Sequence, residues 1–122
     1  MPDKRLIGKW GENLAEAYLK ERGYVVVDKN WRTTQGEIDL VVKHGPNQFV
    51  FVVVKTRTGK GFGYPEEAVT RKKRKTLIQL AYEYILTHQI VDDWRIDVIA
   101  IIKKTGEDRE IEWFQDAIRE DQ

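Results

Sequence analysis

Between Leu6 and Arg22 the apolar positions recur in threes and fours. Ile7, Trp10, Leu14, Ala17 and Tyr18 make one stripe, and Gly23 supplies a stop, so this segment is predicted to be an amphipathic helix. From Tyr24 the rhythm changes. A β-branched run to Asp28 is followed by Asn30-Trp31-Arg32 and a polar turn at Thr33-Thr34-Gln35-Gly36. Glu37 to Lys43 alternates, with Ile38, Leu40 and Val42 expected on one face and Glu37, Asp39 and Val41 on the other. His44-Gly45-Pro46-Asn47 is turn chemistry, so Gln48 to Lys55 is expected to return as a hairpin partner. After a glycine-rich stretch from Thr58 to Tyr64, helical spacing resumes from Glu66, with a stripe at Leu77, Ile78, Ala81, Tyr84 and Ile85. Arg95 to Ile102 reads as an isoleucine-rich strand, and Glu110 to Phe114 as a last short one after the turn at Thr105-Gly106-Glu107-Asp108. Helix, three strands, helix, two strands describes an α/β layer fold with one sheet.

Composition narrows the setting. A chain of 122 residues, 41% apolar, fits one domain spanning 1–122 and has no room for a second core. The absence of cysteine removes disulfides, thiolate metal sites and cysteine nucleophiles, and fits a reducing compartment. No apolar run approaches the roughly 20 residues that span a bilayer, and Met1-Pro2-Asp3-Lys4-Arg5 opens no secretion signal. A cytoplasmic setting without a membrane partner is expected.

The formal net charge of +1 hides an uneven distribution. Eight cations lie between Lys55 and Lys75 (Lys55, Arg57, Lys60 and the run Arg71-Lys72-Lys73-Arg74-Lys75) against Glu66 and Glu67 alone. From Thr105 to Gln122 seven acids oppose Arg109 and Arg119. The basic stretch is a candidate phosphate-binding surface, or else a solvated face. If Thr70 caps the second helix, the cations fill its first turn, where the macrodipole favours acids and an external phosphate would be welcome. If that helix begins near Pro65, Glu66 and Glu67 take the first turn and the argument weakens. Gly59-Lys60-Gly61-Phe62-Gly63 lacks the spacing and the Lys-Ser/Thr end of a P-loop, and reads as a connector. Phe62 and Tyr64 either stack on unpaired bases or pack on the core. His44 and His88 read as surface residues, and Trp10, Trp31, Trp94 and Trp113 as core or edge packing.

Asp39 stands inside an apolar strand and Lys55 closes the neighbouring one. Charges so placed mark either a strand-end ion pair or a site. They stand among further motifs. Gly36-Glu37-Ile38-Asp39-Leu40, Phe51-Val52-Val53-Val54-Lys55-Thr56-Arg57 and Phe62-Gly63-Tyr64-Pro65-Glu66-Glu67-Ala68-Val69-Thr70 resemble signatures of the YraN-like family of the PD-(D/E)xK nuclease superfamily. Gly11-Glu12-Asn13-Leu14-Ala15, Asn30-Trp31-Arg32 and Arg95-Ile96-Asp97-Val98 match it too, so the resemblance covers roughly residues 8–102. It implies a restriction-endonuclease-like αβββαβ core, related to Holliday-junction resolvases, in which Glu12, Asp39, position 53 and Lys55 converge. Carboxylates there would hold Mg²⁺ or Mn²⁺ beside a scissile phosphate of a nucleic acid, DNA ahead of RNA. Lys55 would place the attacking water or offset charge on the phosphate. Arg57, Lys60, Arg71, Lys72, Lys73 and Arg74 are the expected backbone contacts. A homodimer is compatible with the resemblance.

One position departs from the pattern. The acid of the acid-x-lysine pair is Val53, which has no oxygen to offer a metal. Glu37, two residues from Asp39, falls on the same strand face and is a candidate substitute; Gln48 and Glu66 are others. Either Val53 impairs an otherwise standard nuclease, or the protein keeps nucleic-acid binding without cleavage. A protein-interaction domain using the acidic C-terminal strand is the third reading.

Overall fold

A computed structural model describes residues 4–58, 69–106 and 108–120. Helix α1 (Lys4–Glu21) precedes strands β1 (Val25–Thr33), β2 (Gly36–Lys43) and β3 (Gln48–Thr58). Helix α2 (Arg71–Thr87) then leads to β4 (Asp93–Lys103) and β5 (Arg109–Phe114). The expected order of elements holds. All five strands form one sheet in sequence order, antiparallel except for the β3–β4 pair. That parallel pair needs a long return path, and α2 lies on it. The result is an α/β fold with the αβββαβ succession that the motifs imply.

The two faces of the sheet carry two cores. Along β3 the side chains alternate: Val50 and Val52 join Ala15 and Leu19 of α1, while Phe49, Phe51 and Val53 join Leu77, Leu80 and Tyr84 of α2. Both sides of the central strands are therefore apolar, which is why β3 and β4 read as near-continuous hydrophobic runs. Each fully buried side chain of this size contributes about 1.5–3 kcal/mol. The four tryptophans pack as expected: Trp31 meets the ring of Tyr84 edge-on at 5.2 Å, and Trp94 meets Tyr82 at 5.2 Å. His44 is exposed and stacks on Tyr24, and His88 is exposed at the end of α2.

Strict alternation fails within β2. Ile38 belongs with Val41 on the α2 side, whereas Leu40 and Val42 face α1. The phase slips between Ile38 and Leu40, although the β1–β2 register is unchanged from Trp31↔Ile38 to Lys29↔Leu40 and shifts only between Val26 and Asp28. Opposite this slip stands Asn30, left-handed at φ 50°. Beyond Leu40↔Val52 the β2–β3 register stops, so the two strands part at Asp39.

Within β4, Asp97 is fully buried. It accepts from Arg95 Nε at 2.9 Å, Arg95 Nη2 at 3.2 Å, Trp113 Nε1 at 2.9 Å and the Asp116 N–H at 2.8 Å. Arg95 also donates to Gln48 Oε1 and to the Tyr24 hydroxyl. This network locks β4 to β5 and β3, as a buried charge requires. No helix among the described residues is long and apolar enough to cross a membrane.

Candidate metal and nucleic-acid site

The parting of β2 from β3 leaves backbone groups that the ladder no longer pairs. Asp39 takes one of them: its Oδ2 accepts the Val54 N–H at 2.7 Å. The carboxylate thus plugs the fork between the strands. Helix α1 closes over the same region because Gly11 has no side chain. A methyl there would overlap the Thr56 hydroxyl and lie 3.3 Å from Thr56 Cβ. This close approach delivers Glu12, the next residue, to the site.

Glu12, Glu37 and Asp39 each offer one carboxylate oxygen within 4.8 Å of the others, all three half-buried. Two elements supply them: α1 carries Glu12, and β2 carries Glu37 and Asp39. Burial, partly offset by the Val54 N–H and reinforced by the negative charges of Glu12 and Glu37, pushes the Asp39 carboxyl up to about 6. Such a cluster is repulsive by itself, and its all-oxygen donor set suits a hard divalent cation such as Mg²⁺ or Mn²⁺.

Lys55 is half-buried beside it. Burial, and then the neighbouring Lys73 charge, pull its ammonium below the ordinary value; Asp39 opposes that pull and Arg57 adds to it. Among the described ion pairs none joins Asp39 to Lys55, so the simple strand-end salt bridge is not what holds them. An open pocket of ≈ 380 Å³ is lined by Gly8 and Glu12 of α1 and by Val54, Lys55, Thr56 and Arg57 of β3. Glu12 and Lys55 therefore share a solvent-reachable pocket, with Asp39 behind it against the Val54 N–H.

Thr70 decides the start of α2. Its side-chain oxygen accepts the Lys73 N–H at 3.2 Å, and the helix begins at Arg71 with no acid in its first turn. Arg71, Lys72, Lys73 and Lys75 are exposed, and Arg74 is half-buried with Nη1 on the Val69 carbonyl at 3.4 Å. Lys73 lies near enough to Lys55 for the two like charges to repel, so this basic turn approaches the lysine.

Residues 11–101 match the family model described as Uncharacterised protein family UPF0102. The chain belongs to this family. UPF0102 is the YraN family, within the restriction-endonuclease-like superfamily. The UPF0102 protein of Chloroflexus aurantiacus (strain J-10-fl) is 43% identical over 105 residues, 84% of each chain. That of Alkaliphilus oremlandii is 46% identical over 98 residues, 78% of this chain and 83% of the relative. That of Syntrophotalea carbinolica is 38% identical over 112 residues, 91% and 89% of the two chains. Among solved structures, Pyrococcus furiosus SfsA in complex with Ca²⁺ aligns with a TM-score of 0.45 at 17% identity, covering 93% of this chain. This chain spans 64% of the length of that structure.

Within the UPF0102 chain, then, Glu12, Asp39 and Glu37 come together beside Lys55, with Arg57 lining the same pocket as Glu12 and Lys55. Val53 does not join them in chemistry: its side chain is buried in the α2-facing core, beside Phe51 and Ile38. Gln48 is corrected as a substitute ligand. It stands seven residues before Lys55 on β3 and is bound to Arg95 in the Asp97 network. Lys60, Glu66, Phe62 and Tyr64, together with the Gly59–Gly63 stretch, lie outside the described residues. Two residues carried no role in the sequence reading beyond their motif. Asn30 Nδ2 donates to Glu12 Oε1 at 3.0 Å and to Glu37 Oε1 at 2.6 Å, and Arg32 Nη2 donates to Glu37 Oε2 at 2.7 Å. Their signal was an asparagine inside a strand, a residue type that strands disfavour.

Proposed function

We propose that this UPF0102 protein engages nucleic acid, DNA ahead of RNA, and hydrolyses phosphodiesters weakly with the help of a divalent cation. The convergence of three carboxylates on one point beside a half-buried lysine carries the reading. Glu12, Glu37 and Asp39 would hold Mg²⁺ or Mn²⁺. When bound, the ion lowers the pKa of a water and polarises the phosphate. The chain's own residues do the rest. Lys55 sits where its ammonium can orient the attacking water or offset charge growing on phosphate oxygens. Arg57, which lines the pocket, and the exposed Arg71, Lys72 and Lys73 of the α2 first turn would contact the flanking phosphates. The first-turn cations face the positive end of the helix dipole, an unfavourable placement that a phosphate relieves. With Val53 in place of the usual strand acid, Glu37 is the third carboxylate, and cleavage is expected to be slow.

Calorimetric Mn²⁺ titration and a cleavage panel of duplexes, flaps and four-way junctions test this reading. Wild type should bind Mn²⁺, Asp39→Asn and Lys55→Ala should abolish cleavage, and Val53→Glu should increase it. No Mn²⁺ binding by wild type, together with no cleavage of any substrate by wild type or by a Val53→Glu protein that unfolds as cooperatively as wild type, would refute it.

The engagement of both Glu37 oxygens by Asn30 and Arg32 favours a second reading, nucleic-acid binding without cleavage. It requires salt-sensitive binding that Lys72→Glu/Lys73→Glu weakens and Asp39→Asn leaves intact or tightens.

A further inference from the structure

Asn30 occupies a position that regular strand geometry would not give it. Its backbone is left-handed, and the β1–β2 register passes over it and over Asp39, the residue it faces. Asparagine tolerates that conformation better than other side-chain-bearing residues. The consequence is an amide aimed across the strand edge. One Nδ2 hydrogen goes to Glu12 Oε1 at 3.0 Å and the other to Glu37 Oε1 at 2.6 Å. Both donors of the amide are then used, one on each acid. The opposite orientation of the amide would set its carbonyl oxygen against two carboxylates, so the donor assignment is chemically required. Arg32 holds the second oxygen of Glu37 through Nε at 3.2 Å and Nη2 at 2.7 Å.

Two like-charged groups on separate elements repel, and neither α1 nor β2 alone brings them together. A neutral donor bonded to both offsets part of that repulsion and fixes both carboxylates before any cation arrives. We propose that Asn30 is the positioning residue that brings Glu37 into the site in place of the strand acid absent at Val53. It acts through Glu12 and Glu37 and touches neither metal nor substrate. This inference rests on the reading of the cluster as a divalent-cation site.

Asn30→Gly tests it, because glycine keeps the left-handed backbone and removes only the amide. Partners that orient metal ligands change affinity by about 10- to 100-fold. Asn30→Gly should therefore weaken Mn²⁺ binding by about that factor in calorimetry, while the metal-free protein stays folded with a modest loss of thermal stability. In a Glu37→Gln background the same change should add little, since the acid it positions is already gone. In the metal-free protein, the Asn30 side-chain NH₂ signals, identified by their loss in Asn30→Gly, should move in both Glu12→Gln and Glu37→Gln. Unchanged Mn²⁺ affinity in Asn30→Gly, alongside weakened binding in Glu37→Gln, overturns the proposal and spares the metal reading. NH₂ signals that respond to neither acid overturn it as well. Wild type that binds no Mn²⁺ removes the metal reading, and this inference falls with it.

Discussion

Replacing Asp39 by asparagine should make the metal-free protein more stable at neutral pH while removing one carboxylate from the proposed cation site. The folded protein holds this carboxyl at about 6, against an ordinary 3.8, chiefly because it is buried and then because Glu12 and Glu37 lie near. An acid whose folded value is raised stabilises fully only below its unfolded value. That contribution is lost as pH rises through the folded value, here mostly between pH 4 and 6. A gap of about two pH units, at about 1.4 kcal/mol each, corresponds to about 3 kcal/mol lost by pH 8. Asparagine is the same shape, still offers an oxygen to the Val54 N–H and carries no charge. Urea unfolding in EDTA should show Asp39→Asn ahead by about 2–3 kcal/mol at pH 8 and about 1 kcal/mol at pH 4.5. At pH 8 that is a midpoint shift of about 1–2 M. Saturating Mn²⁺ should then close the gap by stabilising wild type alone, by about 2.7 kcal/mol at a hundredfold excess over Kd. An Asp39→Asn protein less stable than wild type at pH 8, or one whose advantage does not vary with pH, would refute the electrostatic account of this site.

Two glycines one turn apart on α1 should respond oppositely to alanine. Gly8→Ala meets nothing within 4 Å and should stabilise by up to about 1 kcal/mol, whereas Gly11→Ala collides with Thr56 and should cost about 1–3 kcal/mol and weaken Mn²⁺ binding by displacing Glu12. Adding Thr56→Ala should recover part of the Gly11→Ala loss, and equal effects at both glycines in urea unfolding would contradict the close approach. Asp97→Ala strands the Arg95 guanidinium and two other donors, so it should cost about 3–5 kcal/mol in the same assay. A loss under 1 kcal/mol would show that water replaces the network.

Much of this protein is written locally. The apolar spacing along α1 and α2, the runs of β3 and β4 and the turn residues between them specify the elements and their order, because each depends on neighbours a few positions away. The motifs likewise single out Glu12, Asp39 and Lys55, and Val53 as the departure. What the sequence left open required contacts between distant segments. Whether Thr70 or the region of Pro65 begins the second helix was settled by a hydrogen bond to the Lys73 N–H. Gln48 looked available until Arg95, 47 residues away, took its oxygen.

Alternation predicts one face for Ile38 and Leu40, and the structure puts them on opposite cores. Period-two patterning assumes regular strand geometry, and here that geometry fails where Asn30 turns left-handed and β2 leaves β3. The same break lets Asp39 cap a backbone N–H and lets Asn30 reach two acids. Residue types and their spacing determined which groups could meet. Only the splaying of two strands and the close seating of a helix on Thr56 decided which of them do, since repulsion between carboxylates is overcome by the fold as a whole and by no short segment of it.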